Sequence, residues 1–212
     1  PVPDTGKMAT FVESKPVDVQ ILHDSTSGTI RVQNREFEAY TDIGLRPAQE
    51  DRLVLCPQFT RADAAFLAVF DGTVGPDAAH FCQQNMVDVM LREGGTFPTK
   101  EIFSDELVDG NVDSMAEKMS KAMKDTFLAT DKHLIEHCAE HKLHYASSTG
   151  VAALLWKNLL TIAHVGDSKA LIAKQVGTTI QPEWLTVDHK PHMPHELARI
   201  EQSGGSLAWL HG

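Results

Sequence analysis

The sequence predicts an α+β fold, in which a mainly antiparallel sheet is accompanied by separate helices. Two apolar runs at residues 151–156 and 159–165 are separated by only two residues, a spacing typical of a β-hairpin. Shorter apolar runs at 53–55 and 65–70 add further strands. Residues 112–141 instead repeat apolar side chains every three or four positions, which is typical of a helix. Strands in neighbouring hairpins, with the helices elsewhere in the chain, favour α+β over alternating α/β.

Further strands and turns are predicted along the chain. Segments 17–22 and 29–32 flank a turn-rich cluster at 24–28, and we predict that they pair as a hairpin. The strand at 65–70 is predicted to end at Asp71-Gly72, where a sharp turn follows. Residues 170–173 form another short strand, and Gly177 marks the next turn.

Three helices are predicted. Pro76-Asp77 opens a helix that continues to about Arg92, and both residues suit a helix N-terminus. The helix at 112–141 carries one apolar stripe that we assign to the core: Val112, Met115, Met119, Met123, Phe127, Thr130, Leu134 and Cys138. A short helix at 196–203 is closed by Gly204-Gly205, with glycine at its C-terminal end. With no repeat, low-complexity tract or linker, residues 1–212 are interpreted as one domain.

Composition restricts the partners. The formal net charge of −10 over 212 residues offers no basic face, so we expect no nucleic-acid partner. No apolar run reaches the length of a bilayer span, so we expect no membrane partner. We also expect the protein to be a monomer. Three widely spaced cysteines indicate reduced thiols. The expected location is therefore intracellular, either cytoplasmic or nuclear, with no targeting segment visible.

Three acidic segments are candidates for chemistry. The first, Gly44 to Asp51, contains Arg46, whose guanidinium can hold a phosphate by two parallel hydrogen bonds, and the adjacent carboxylates Glu50 and Asp51. Taken alone, this segment is better explained as a charged surface turn. The second is Asp71-Gly72. A carboxylate at the end of a buried strand requires a partner or a metal ion, and the glycine carbonyl is a further oxygen donor.

The third segment, Gly166-Asp167-Ser168, again follows an apolar strand, and alone it would be an ordinary turn. The order and content of all these segments resemble the type 2C family of metal-dependent protein serine/threonine phosphatases. The resemblance runs from about Gly44 to Ser206 and rests on five motifs: Gly44-x-Arg46 with Glu50-Asp51, residues 66–72 (FLAVFDG), residues 148–152 (STGVA), residues 163–170 (AHVGDSKA), and residues 185–191 (LTVDHKP) followed by 196–200 and Gly204-Gly205.

The resemblance implies a fold of two packed antiparallel β-sheets flanked by helices, an α-β-β-α sandwich. It also implies Mn²⁺ or Mg²⁺ as cofactor, with two ions and a third, weaker site. By position, Asp71 would bridge the two ions, the Gly72 carbonyl would bind one of them, and Glu50 and Asp51 would hold metal-bound waters. Arg46 would bind the substrate phosphate, and Asp167 would serve the third ion.

The implied reaction is dephosphorylation of phosphoserine and phosphothreonine in proteins. A metal-bridging hydroxide would attack phosphorus directly, since two cations lower the pKa of water and neutralise an anionic site. Phosphorylated proteins are therefore the expected substrates. The catalytic residues would be Arg46 and Asp71.

Two features depart from the family pattern. The family usually has histidine after Asp-Gly as the general acid, but Thr73 stands there, and a hydroxyl cannot donate a proton near neutral pH. We therefore predict slower turnover of alkyl phosphates. The family domain also continues beyond the position of Gly212 with further metal-binding motifs, so we expect the chain to be the N-terminal part of the domain.

Other functions compete with this one. His133-x-x-Glu136-His137 matches an inverted zinc-protease motif, with His141 one turn further, and His189, His192 and His195 form a second cluster. Helix packing and a proline-containing turn explain the two clusters better. The stronger alternative is a pseudophosphatase that binds phosphoproteins or partner domains without turnover. Thr73 favours that alternative, whereas the retained carboxylates oppose it.

Overall fold

The computed structural model describes residues 20–22, 28–32, 35–59, 64–93, 112–156 and 159–208. Ten strands and three helices lie in these ranges. The strands are β1 Gln20–Leu22, β2 Gly28–Val32, β3 Arg35–Ala39, β4 Asp51–Cys56, β5 Ala64–Thr73, β6 Ser147–Ser148, β7 Gly150–Trp156, β8 Leu159–Val165, β9 Leu171–Val176 and β10 Thr179–Trp184. The helices are α1 Asp77–Glu93, α2 Val112–His141 and α3 Pro194–Gln202.

A six-stranded antiparallel sheet is the centre of the fold. Its strands follow the order β1-β4-β5-β7-β8, and β6 pairs with the end of β5. Two further pairs, β2–β3 and β9–β10, form separate two-stranded antiparallel sheets. The predicted α+β class with antiparallel sheets and flanking helices is thereby confirmed.

Helices α1 and α2 pack on one face of the main sheet. Because side chains alternate across a strand, the even-numbered residues of β5 face these helices, and Phe66 and Phe70 are fully buried there. Met119 and Met123 from the predicted stripe of α2 complete this core. The apolar repeat of that helix is therefore a packing surface, as predicted.

The second face of the sheet is covered in part by the β2–β3 pair. Phe37 of β3 packs with Leu55 and Ala65 on this face. Farther along the strands the face stays open and lines a cavity of about 280 Å³, and Val69 is 45% exposed there. The acidic residues that follow Val69 on the same face of β5 are therefore reached from solvent.

The structure corrects two predictions for the strands. Segments 20–22 and 28–32 are strands, but they do not pair with each other: β1 pairs with β4, and β2 pairs with β3. Non-local pairing of this kind depends on which edge is available, and local sequence does not encode that. β5 also continues through Thr73 instead of ending at Phe70, because Gly72 and Thr73 pair with β6. Residues 17–19 and 24–27 lie outside the described residues.

The remaining elements agree with the sequence. The predicted β7–β8 hairpin is present, with Trp156 opposite Leu159, while residues 157–158 lie outside the described residues. Helix α3 begins at Pro194, two residues earlier than predicted, since proline suits a first helical position. It ends in a Schellman motif, in which the Gly204 and Gly205 amides donate to the carbonyls of Glu201 and Ile200. Within the described ranges, no helix is long and apolar enough to cross a bilayer.

Candidate metal and phosphate site

The site is built around Asp71, which lies near the end of β5. Asp51 of β4 stands directly opposite it in the antiparallel register, so both side chains share one face of the sheet. Both residues are solvent-exposed. Two carboxylates facing each other across a strand pair are destabilising unless a cation separates them. This pairing is the first sign that the sheet end is arranged around a ligand.

Glu50 and Gly72 lie against each other at the same sheet end. The Glu50 carboxylate oxygen Oε1 accepts a hydrogen bond from the Gly75 amide at 2.9 Å, which ties it to the turn after β5. A Cβ placed on Gly72 would lie 2.6 Å from the Gly75 carbonyl oxygen and 2.9 Å from that of Glu50. Only glycine therefore allows the two segments to approach this closely.

The third acidic segment is joined to Asp71 through two hydroxyl groups. Thr149 Oγ1 accepts a hydrogen bond from the Asp71 amide at 3.1 Å and lies 2.6 Å from Ser168 Oγ. Gly166 adopts a left-handed φ of 87°, and a Cβ there would lie 2.8 Å from Thr149 Cγ2. This packing brings Asp167 to the same end of the sheet as Asp51 and Asp71.

Electrostatics confirm that these side chains act on one another. Partial burial raises the pKa of the Asp71 carboxyl above its usual value, and the negative charges of Asp51, Asp167 and Glu50 raise it further. Desolvation is the largest cause although the side chain is still exposed, because the neighbouring strands displace only part of its water. The site thus carries more negative charge than its own residues neutralise.

Arg46 supplies positive charge to this site. It lies in an exposed turn that begins at Gly44, where φ is 58°, and its own amide donates to the Ile43 carbonyl at 3.1 Å. Among the described residues, Arg46 is the positive group that lowers the pKa of Asp71. It forms no ion pair within this part of the chain, so its guanidinium is available to an anionic ligand.

Thr73 and Val74 follow directly. Thr73 is exposed and pairs with Ser147 of β6, on the same face of β5 as Asp71. Val74 has a φ of 61°, a left-handed conformation that strains a β-branched residue. Such strain often marks functional turns. No sequence pattern indicated Val74, because positive φ is expected at glycine or asparagine.

The donor chemistry of this site suits a hard divalent cation. Carboxylate oxygens are the preferred ligands of Mg²⁺ and Mn²⁺, and a cation would neutralise the repulsion between Asp51 and Asp71. In the described residues, however, no three His, Cys, Asp or Glu side chains already enclose one point. The residues therefore fit the ions in charge and type, and closer approach of the side chains is required on binding.

Lysine residues near Asp167 were missed as site residues. Lys190 Nζ lies 2.8 Å from Asp167 Oδ2, and Lys169 Nζ lies 2.8 Å from Asp188 Oδ1. Lys190 belongs to one of the motifs that carry the family resemblance, but the spacing of residues along the chain does not indicate that Asp167 is its partner. Thr149 and Ser168 were also inside such motifs, and only the folded chain reveals their hydrogen bond.

The two histidine clusters show packing geometry. On α2, the His137 and His141 rings pack at a tilt of 30° with centroids 4.1 Å apart, and the Phe81 ring centroid lies 4.8 Å from that of His137. In the second cluster, His189 stacks on the buried His164 at 4.4 Å. Within the described chain neither cluster forms a metal-binding group. This geometry favours the structural interpretation of both clusters over zinc binding.

The structure thus combines an antiparallel α+β fold with carboxylates gathered at one end of the main sheet, and known proteins of one family share these features. The family model described as protein phosphatase 2C matches residues 42–212. Protein phosphatase 2C 1 of Paramecium tetraurelia is 29% identical over 199 residues, which cover 89% of this chain and 59% of that protein. Protein phosphatase 2C 56 of Arabidopsis thaliana is 32% identical over 188 residues, covering 82% and 40%.

Solved structures agree. A serine-threonine phosphatase 2C from Toxoplasma gondii has a TM-score of 0.68 and 33% identity, and the match covers 96% of this chain and 60% of that one. A C. elegans sex determining protein shares the fold at a TM-score of 0.57 and 20% identity. The chain therefore belongs to the protein phosphatase 2C family. It spans about three-fifths of the length of the Paramecium relative.

Proposed function

We propose that the chain is the N-terminal part of a single catalytic domain that dephosphorylates phosphoserine and phosphothreonine in proteins with Mn²⁺ or Mg²⁺. The observation that carries this proposal is the position of Asp51 directly opposite Asp71 at the sheet end. Partial burial raises the pKa of Asp71, and the charges of Asp51, Asp167 and Glu50 raise it further. An excess of carboxylates costs stability unless a cation binds there. The Paramecium and Arabidopsis relatives are both named as protein phosphatases, which supports the same reaction.

The family resemblance suggests a role for each residue. Asp71 and the Gly72 carbonyl would hold two ions, and Glu50 and Asp51 would act through bound waters. Arg46, exposed and without an ion-pair partner in the described chain, would bind the phosphate by two hydrogen bonds. When bound, the ions would supply activation of the attacking water and neutralisation of charge. Asp167 would serve a third, weaker ion.

Thr73 limits this chemistry. It stands beside Asp71 on the exposed face of the sheet, where the leaving group would be protonated, and its hydroxyl does not titrate near neutral pH. We therefore expect slow turnover of phosphoserine and phosphothreonine. The second candidate function, phosphoprotein binding without turnover, rests on this same residue.

The proposed partners are phosphorylated proteins. The net charge of −10 argues against nucleic acid, and we propose a monomer. We also propose an intracellular location, cytoplasmic or nuclear, because three widely spaced cysteines are typical of proteins in a reducing compartment.

The test is metal-dependent turnover by the full-length protein. We expect hydrolysis of an aryl phosphate that requires Mn²⁺ or Mg²⁺, stops in chelator, and falls at least about a hundredfold in Asp71→Asn. Asp88→Asn is the matched control, because Asp88 is an exposed aspartate paired with Arg92 on α1, away from the site. Metal-independent turnover, or full activity in Asp71→Asn, contradicts the proposal. Phosphopeptide binding without turnover supports the pseudophosphatase.

A further inference from the structure

Asp167 is held by a lysine. Lys190 Nζ lies 2.8 Å from Asp167 Oδ2 and 3.7 Å from Asp188 Oδ2. Asp188 has a closer partner, since Lys169 Nζ lies 2.8 Å from its other oxygen. The main contact of Lys190 is therefore with Asp167. Each side chain of that pair is about two-fifths exposed, at 40% and 43%, so solvent and ions reach both.

The backbone places Lys190 beside Asp167. The His189 amide donates to the Gly166 carbonyl at 2.9 Å, which joins the two residues that precede the ion pair. The ring of His164, a buried residue of β8, lies 2.8 Å from the Val187 carbonyl oxygen through Nε2. These contacts fix both chain segments, so the side-chain ammonium has little freedom to leave the carboxylate by backbone movement.

We propose that Lys190 competes with a divalent cation for Asp167 and thereby sets the affinity of the weakest metal site. This inference rests on the proposed function, which assigns that ion to Asp167. An ammonium at 2.8 Å satisfies one carboxylate oxygen and repels a second cation brought to the same group. When the ion binds Asp167, Lys190 must therefore either move away or stay nearby, where its positive charge repels the ion and weakens binding.

Mn²⁺ binding tests the inference without turnover. Free Mn²⁺ is followed by its electron paramagnetic resonance signal during titration of the full-length protein at low ionic strength. Lys190→Met removes the charge and keeps the length of the side chain, and we expect the weakest site to tighten about two- to tenfold. Lys190→Arg keeps the charge and should behave like the parent. The gain should shrink as monovalent salt is added, because salt screens exposed charges.

Two further variants make the result specific. Lys174→Met removes a lysine of similar exposure that pairs with Glu183 on the β9–β10 hairpin, and we expect no change in Mn²⁺ affinity. In an Asp167→Asn background, Lys190→Met should have no effect, because the two residues act as a pair. Unchanged or weaker binding by Lys190→Met overturns the inference, and so does a gain that persists without Asp167.

The outcomes separate this inference from the proposed function. If Mn²⁺ binds and Asp71→Asn abolishes the tightest site, the proposed function stands whatever Lys190 does. If no bound Mn²⁺ depends on Asp167, the competition is refuted even when the Asp71 site is present. If no bound Mn²⁺ depends on Asp71, the proposed function itself fails.

Discussion

Thr73 and Asp71 are two residues apart on β5, so their side chains share one face of the strand. A residue at position 73 can therefore reach a ligand held by Asp71. Histidine at this position would titrate near neutral pH, whereas threonine would not. The identity of residue 73 is therefore expected to affect proton donation to the leaving group and not activation of the attacking water.

We predict that Thr73→His accelerates hydrolysis of a phosphothreonine peptide by about tenfold or more. A positioned acid typically contributes about a hundredfold to ten-thousandfold, and a grafted group recovers part of that. Aryl phosphate should change little, because its leaving group needs no proton. The rates are measured on both substrates across pH, and the gain should fade as the imidazolium loses its proton. Thr73→Asn is the control, and an equal gain on both substrates contradicts acid catalysis.

The raised pKa of Asp71 has a consequence for stability. The folded protein holds the Asp71 proton more tightly than the unfolded chain does, so stability falls as pH rises from the unfolded pKa of 3.8 through the folded pKa. In chelator at pH 7, Asp71→Asn should therefore raise Tm by about 1–3 °C, and the difference should shrink toward pH 4. With saturating Mn²⁺ the sign should reverse, because only the parent gains the ion.

Asp188→Asn is the opposite control for this measurement. A hydrogen bond from Lys169 lowers the pKa of Asp188, so its contribution is present at neutral pH and lost as pH falls through the folded pKa. Removal of the Asp188 carboxylate by Asp188→Asn should therefore lower Tm at pH 7. A decrease in Tm for Asp71→Asn in chelator would contradict the electrostatic description of the site.

At the scale of elements, the turn between β5 and α1 contains a strained residue. Val74 adopts a φ of 61° and is 70% exposed, so its side chain gains little burial in return. Gly75 follows with a φ of 106° and donates to Glu50. The turn therefore positions Glu50 while holding a β-branched residue in an unfavourable conformation.

We predict that Val74→Gly stabilises the protein by about 1 kcal/mol, which is a rise in Tm of about 2–4 °C. Relief of strain exceeds the extra entropy that glycine gives to the unfolded chain. Val176→Gly is the matched control, because Val176 is also exposed, at 52%, but lies in the regular strand β9. There glycine should destabilise. Thermal unfolding of both variants measures the two changes in Tm. A loss of stability in Val74→Gly would contradict the interpretation that Val74 is strained.

At the scale of the whole molecule, one core joins α1, α2 and the main sheet. Two of its cysteines are deeply placed: Cys56 is fully buried and Cys82 is 8% exposed. Burial raises the pKa of Cys82 to about 12, whereas Cys138 is partly exposed on α2. Thiol chemistry can therefore report opening of the core.

We predict that iodoacetamide labels Cys138 first in the native protein at pH 8. Cys56 and Cys82 should react only as fast as the core opens, because thiolate and access are both required. Mass spectrometry of peptides after timed labelling measures each rate. In concentrated denaturant the three rates should become similar. Native labelling of Cys82 as fast as Cys138 would contradict the packing of α1 on the sheet.

Most local elements were predictable because their signals are local. The stripe of α2 and the hairpin of β7 and β8 follow from periodicity within the segment. The partners of β1 and β2 were not predictable, since either strand could pair at several edges and its own residues do not choose among them. The short β6, two residues long, is likewise defined only by its pairing with Gly72 and Thr73.

The sequence by itself determined the α+β class, the family resemblance, and the candidate residues Arg46, Glu50, Asp51, Asp71, Gly72 and Asp167, because residue types and spacings carry that information. Only the tertiary structure decided that Asp51 faces Asp71 and that Lys190 occupies Asp167. Such contacts join residues about twenty positions apart. They depend on strand register and turn geometry, which are properties of the packed chain as a whole.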